Sequence, residues 1–186
     1  MDPIEARAER VLESVPPYVW DGESLPVPVE EIASTCFALQ VVDVEAEEMA
    51  EVPDSPTLAP GQAFSGLLLA GLAEIWVNAT EARRWPPRRR FTIGHELGHW
   101  VLHRDAASLL FCRSTTVQPE ERARPEAPPA PDIEDEASVF AAALLMPADL
   151  VRRHYRPDTL EFAEMCELFG TSQAAMERRL LDVIRG

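Results

Sequence analysis

The residues with the clearest chemical potential are His95-Glu96-Leu97-Gly98-His99, a His-Glu-x-x-His run. Positions i and i+4 of a helix lie on one face, one turn apart, so the two imidazoles stand side by side and can share one tetrahedral ion. Neutral imidazoles suit Zn²⁺. Glu96 sits one step round the helix, where its carboxylate reaches a water on the ion rather than the ion itself and can take that water's proton. The chain has only 4 histidines, so this spacing is improbable by chance. Phe91, Ile93, Leu97, Trp100, Val101 and Leu102 surround the run with apolar side chains, which predicts a buried helix. Gly94 and Gly98 each cost such a helix about 1 kcal/mol relative to Ala. Glycines kept at that cost point to close approach of another backbone or of a substrate.

A catalytic zinc takes three protein ligands and keeps a fourth position for water. Glu134, Asp135 and Glu136 compete for the third place. They open a stretch, residues 132–146, that reads as a helix with Asp132 as N-cap, acids in its first turn and Pro147 at its end. Glu134 and Glu136 are about 200° apart on a helical wheel, so they cannot both face one ion. Glu134 shares a row with Ala137, Ser138, Ala141 and Leu145, rich in small residues that allow close helix packing. That favours Glu134, but periodicity alone leaves the choice open. His103, at i+8 from His95, lies near the same face. As a further ligand it would close the coordination sphere, so a supporting or polar core position is expected. A metzincin pattern is excluded, because its third histidine would fall at Asp105 and its glycine at Leu102.

The elements that must position these groups begin with residues 3–14, where Ile4, Ala8, Val11 and Leu12 form a helical stripe that Pro16-Pro17 stops. A loop anchored by Tyr18 and Trp20 runs to Pro28, and residues 29–33 begin a second helix. Residues 37–44 read as a strand. The acidic run 45–51 reads as a solvated face before a Pro-punctuated loop to Pro60. Two apolar runs, 63–70 and 73–78, predict a hairpin that turns at Gly71. A short helix over 81–85 is ended by Pro86-Pro87, and Arg88-Arg89-Arg90 then stand directly before the metal helix. Without interleaved aromatics, these arginines are expected to pair with the protein's own carboxylates. Residues 108–116 read as a strand, and 117–131, with 5 prolines, as a mobile loop.

Composition bounds the rest. A chain of 186 residues with 46% hydrophobic content suits one domain, or one domain with a small appendage. The net charge of -15 opposes nonspecific DNA binding. Cys36, Cys112 and Cys166 are odd in number and far apart, which argues against a disulfide framework and fits a reducing cytosol. The N-terminal residues lack a basic and then apolar signal pattern, so no secretory signal is expected. No apolar run is long enough to predict a membrane span. At the C-terminal end, a helix from Asp158 to about Phe169, capped by Gly170, and a last helix beginning at Thr171 or Ser172 have a helix-turn-helix outline. The second of these offers only Arg178, Arg179 and Arg185 beside Glu177 and Asp182. A packing role is therefore expected and DNA is not expected as a partner.

Two motifs together resemble the ImmA/IrrE family of zinc metallopeptidases. One is Arg90-Phe91-Thr92-Ile93-Gly94-His95-Glu96-Leu97-Gly98-His99 with Leu102-His103 after it. The other is Glu134-Asp135-Glu136-Ala137-Ser138 followed by Phe140-Ala141-Ala142-Ala143-Leu144-Leu145-Met146-Pro147. Upstream, residues 25–33, Ser65-Gly66 and Ile75-Trp76-Val77-Asn78 are similar in kind and order, so the resemblance covers about residues 25–185. It implies a gluzincin-like site with Zn²⁺ held by His95, His99 and Glu134, and with Glu96 as general base. Where the family usually has Asn or Asp, four residues after the ligand, this chain has Ser138, a weaker hydrogen-bonding support for a ligand histidine. His103, His154, Tyr155 and Arg90 are the candidates for stabilising the oxyanion.

The expected fold class is α+β: a small mixed sheet packed on helices, the His-Glu-x-x-His helix facing a second, Glu-bearing helix, and a helical C-terminal region. The expected organisation is an N-terminal helix and lead-in loop (1–24), a metallopeptidase-like core (25–157) and a helical segment packed on it (158–186). The resemblance implies a cytoplasmic zinc endopeptidase of bacterial or phage type that cleaves a specific protein partner, often a transcriptional repressor. The alternative expectation is a non-enzymatic zinc-binding regulator that acts through protein or DNA binding.

Overall fold

The structure is a computed structural model that describes residues 2–53, 55, 58, 61–104, 109–114, 133–156 and 161–185, with the backbone alone for 109–114 and 185. The expected loop at 117–131, the Asp132 cap and the helix start at Asp158 lie outside the described residues.

Helix α1 (Pro3–Ser14) begins where the Asp2 side chain accepts from the Ile4 amide, and it buries Ala8, Val11 and Leu12. Helix α2 (Val29–Phe37) runs four residues beyond the segment expected to begin it. It stops only at Ala38, whose φ of 55° is left-handed. The following strand is therefore shorter than expected: β1 is Gln40–Val44. The acidic run forms a short helix, α3 (Ala46–Ala50). Its glutamates face solvent while Met49 is fully buried against Phe64, Leu67 and Leu69.

The hairpin is formed by β2 (Ala63–Leu69) and β3 (Glu74–Asn78). With β4 (Leu109–Ser114) they complete a four-stranded sheet in the order β1-β3-β2-β4. β1 pairs with β3 in parallel and the other pairs are antiparallel, so the sheet is mixed. Asn78 ends β3 and caps α4 (Ala79–Arg84), accepting from the Glu81 amide.

Helix α5 (Pro86–His103) carries the His-Glu-x-x-His run. It begins earlier than the sequence suggests. Pro86 and Pro87 occupy its first turn, where a missing N–H costs nothing and the fixed φ suits a helix, so Arg88, Arg89 and Arg90 lie inside α5 and not ahead of it. Arg88 and Arg89 do pair with internal carboxylates: Arg88 with Glu81 at 2.8 Å, and Arg89 with Glu30 at 2.5 Å and Asp43 at 3.0 Å.

Helix α6 (Ile133–Leu145) lies against α5. The two approach closely because small residues meet: a Cβ on Gly94 would stand 3.4 Å from the Ala141 Cβ, and one on Gly98 would stand 3.1 Å from the Ala137 backbone. This is the row of small residues that includes Glu134. Pro147 ends α6 and precedes α7 (Ala148–His154), a helix the sequence reading did not separate.

At the C-terminal end, α8 (Phe162–Phe169) starts with a reciprocal cap between Glu161 and Glu164 and ends at Gly170, whose φ of 61° is left-handed. The last helix is α9 (Gln173–Arg185). Met165, Cys166, Phe169, Met176 and Val183 join the same buried cluster as α1, α2, α5 and α6. Arg179 is buried, donates to the Met146 carbonyl at 2.9 Å and pairs with Glu5, so one of the three arginines considered for base reading is used internally. Among the described residues no helix is long and apolar enough to cross a membrane.

Candidate metal centre

On α5, His95 and His99 are one turn apart, with ring centroids 4.7 Å from each other, and both are buried. Glu134 in the first turn of α6 closes the group. The His95 Nε2 to His99 Nε2 distance is 3.0 Å, His95 Nε2 to Glu134 Oε2 is 3.1 Å, and His99 Nε2 to Glu134 Oε1 is 3.3 Å. A tetrahedral ion with bonds of about 2.0–2.1 Å needs ligand atoms about 3.3 Å apart. The two nitrogens stand near that spacing, each within 3.3 Å of one of the two Glu134 oxygens, and one ligand atom from each of the three residues lies within 4.8 Å of the others, so the group could hold one small cation. Of the other acids in that turn, Glu136 turns toward His103 and Asp135 lines a neighbouring cavity.

The electrostatics agree with this arrangement. Burial opposes charge on Glu134, but hydrogen bonds from His95 and His99 outweigh it and hold the carboxyl at about 2. Ser138 Oγ stands 3.2 Å from His95 Nδ1, so in the tautomer that leaves Nε2 free to bind an ion the hydroxyl accepts the Nδ1 proton. His99 Nδ1 is buried and has no partner among the described residues.

Glu96 is fully buried, and neither carboxylate oxygen has a hydrogen-bond partner among the described residues. Burial first, and the nearby charge of Glu134 second, push its pKa well above the ordinary 4.5. His103 lies behind the pair, its ring tilted at 52° to that of His99 with centroids 5.8 Å apart. Its Nε2 lies 3.3 Å from Glu136 Oε2 without a formed hydrogen bond. Burial lowers its pKa against the pull of Glu136.

The remaining candidates are placed elsewhere. Arg90 donates to the Val27 carbonyl at 2.7 Å and packs against Gly170. The His154 ring meets Phe169 at 6.1 Å. Tyr155 is exposed beyond α7. Among the described residues no contact ties these three to the His–Glu group.

Sequence reading missed what supports Glu96 from the sheet. Gly66 on β2 faces it, and Ser65, Glu81 and Arg88 form a polar group just beside it. The one visible signal is a Ser-Gly pair interrupting an otherwise apolar strand, too short to reveal partners 16 and 23 residues away. A cavity of about 800 Å³ reaches Ser65, Thr92 and Ser138 and extends past Phe91 and Val139 to Arg178, but His95, His99 and Glu134 do not line it.

A peptidase family model described as IrrE N-terminal-like domain (Peptidase_M78) matches residues 73–181. The chain belongs to this family. The match takes in α5 and α6 entire, and with them every residue of the His–Glu group, Glu96 and Ser138. IrrE-like membership gives the chain a metallopeptidase-type function, a hydrolase chemistry that the group on α5 and α6 suits. The IrrE-like match begins after Ser65 and Gly66, so the strand that backs Glu96 stands outside it. No curated protein matches the sequence.

Proposed function

We propose that this protein is a zinc-dependent endopeptidase. The observation that carries the reading is the convergence of two imidazole nitrogens 3.0 Å apart with the two oxygens of one carboxylate, one 3.1 Å from His95 and the other 3.3 Å from His99, beside a buried carboxylate that is not part of the group. A structural metal site has no need of such a group, whose burial without hydrogen bonds is costly. Two imidazoles and one carboxylate are a donor set typical of catalytic zinc with an open position.

His95, His99 and Glu134 would hold the ion, which supplies Lewis acidity toward a water and a peptide carbonyl. Glu96 takes the proton of the attacking water at its carboxylate and later delivers it to the leaving amine. A pKa raised above the ordinary carboxylate value by burial suits a group that must both take a proton and give it up. Ser138 fixes the tautomer and orientation of His95 through Nδ1. His103 backs His99 from the next turn.

The substrate is a specific cytosolic protein, with a transcriptional repressor as first candidate, and the site of action is the cytoplasm. The resemblance of the two motifs supports this choice. DNA is not a partner in this reading: Arg179 is committed to Glu5 and Met146, and the chain is strongly acidic. The test is co-expression with a repressor encoded beside this chain. Wild-type protein should yield two fragments with one new N-terminus, and His99→Ala should yield none. Equal cleavage by both would sink the reading.

A further inference from the structure

The sheet beside Glu96 carries an irregularity with its own set of side chains. β2 pairs with β4 at Phe64 opposite Arg113 and resumes at Gly66 opposite Cys112, so Ser65 is an extra, bulged residue. Its buried hydroxyl donates to Glu81 Oε2 at 2.7 Å and accepts from Arg88 at 3.0 Å. Arg88 Nε closes the triangle, 2.8 Å from the same Glu81 oxygen. Asn78 adds a second hold. It donates to the carbonyl of Phe64, the residue before the bulge, at 2.9 Å and accepts from the Glu81 amide at 3.1 Å. Thus α4 and α5 both grip the bulge.

Immediately past the bulge, Gly66 lies against the base. A Cβ there would stand 2.9 Å from Glu96 Oε1 and 3.3 Å from Glu96 Cγ, and would collide with Thr92 Cγ2. Glu96 has no hydrogen bond to fix it among the described residues, so packing sets its place. A glycine and a buried polar group both weaken a strand interior, which apolar residues would otherwise serve. Bulges of this type re-aim groups next to active sites.

We propose that the Ser65 bulge, clamped by Glu81 and Arg88, is a positioning device for the Glu96 carboxylate, with Gly66 as the surface it rests on. This rests on the reading of Glu96 as general base. The bulge sets how far β2 stands from α5, and the missing side chain at Gly66 leaves room for the carboxylate in one place. None of the clamp residues belongs to the His95–His99–Glu134 group; the clamp acts through Glu96.

The test uses the zinc-loaded 186-residue chain and three variants: Ser65→Ala, Thr92→Ser, and Gly66→Ala combined with Thr92→Ser. The Thr92→Ser change removes the Cγ2 that a new Cβ would strike, so the double variant isolates the contact with Glu96. Crystal structures report the Glu96 carboxylate relative to His95 and His99. Turnover of one self-quenched peptide, selected from a mixed set as one that wild type cleaves, reports kcat and KM separately. Thr92→Ser alone should match wild type in both. The double variant and Ser65→Ala should bind zinc at wild-type stoichiometry, show a displaced carboxylate, and lose about 10- to 100-fold in kcat with KM little changed. An unmoved carboxylate in both variants overturns the proposal. Zinc-loaded wild type that cleaves neither these peptides nor the co-expressed repressor would instead overturn the peptidase reading, while the position of Glu96 in the crystals still decides the clamp.

Discussion

Ser138 Oγ stands 3.2 Å from His95 Nδ1 and links the small-residue face of α6 to the first histidine of α5. The same helix thus supplies both a group for the cluster, Glu134, and the residue that orients another. A hydroxyl accepts that proton more weakly than a carboxylate, and supporting residues of this kind are worth about 10- to 100-fold in metal affinity. Ser138→Ala should weaken zinc binding by about tenfold, the lower end of that range. Ser138→Asp should tighten it. Competition against a chromophoric chelator measures both.

Two glycines on α5 should respond in opposite ways. At Gly94 a new Cβ meets Ala141 at 3.4 Å, ordinary contact, so Gly94→Ala gains helix propensity and should stabilise by up to about 1 kcal/mol. At Gly98 it would meet the Ala137 backbone and Phe140 at 3.1 Å, and a backbone does not step aside as a side-chain tip does. Gly98→Ala should therefore destabilise by about 1–3 kcal/mol, overpacking outweighing propensity. Urea unfolding of the metal-free proteins separates the two.

The pH dependence of the metal-free protein follows from the two carboxyls. The folded pKa of Glu96 lies above its ordinary 4.5, so its contribution is fully present below pH 4.5 and is lost as pH rises through the folded value. Glu134 runs the other way: held at about 2, it contributes stability above pH 4.5 that is lost as pH falls toward 2. Glu96→Gln removes the first dependence and keeps the second. In chelator, the stability of Glu96→Gln relative to wild type should therefore grow as pH rises above 4.5. A constant difference would mean that Glu96 does not carry a raised pKa.

The Arg179–Glu5 pair joins the last helix to the first. The Arg179 side chain is only 4% exposed, so removal of its partner leaves a guanidinium with poor access to water. Glu5→Gln should cost about 2–3 kcal/mol, reduced from a fully buried pair because Glu5 is 23% exposed and the Met146 carbonyl still accepts from Arg179. Denaturant midpoints read this directly, and zinc stoichiometry should not change.

Much of this arrangement was legible in the chain. The 3.6-residue stripes of α1, the two apolar runs of the β2–β3 hairpin and the Gly170 stop each depend on local signals that tertiary contacts did not override. The pairing of the two central helices was legible because glycines at 94 and 98 face alanines at 141 and 137, which is a pattern of size. Other features depend on what the neighbours are. Ala38 adopts a left-handed φ that its side chain does not advertise, so the end of α2 was misplaced. Pro86 and Pro87 serve equally as a stop for α4 or a start for α5, and only the observed dihedrals choose. Glu134, Asp135 and Glu136 differ in their surroundings, not in chemistry, and the choice among them required the position of α5. The Ser65–Glu81–Arg88 triangle joins three elements and has no local trace beyond a Ser-Gly pair.

The central claim is that Glu96 acts on the chemistry without holding the ion. Its most direct test is one preparation of Glu96→Gln protein, assayed for zinc per chain and for cleavage of the partner that wild type cleaves. The expected result is wild-type zinc content, since the group of ligand atoms is His95, His99 and Glu134, with loss of cleavage. Cleavage at the wild-type rate, or loss of the zinc along with the activity, would contradict it.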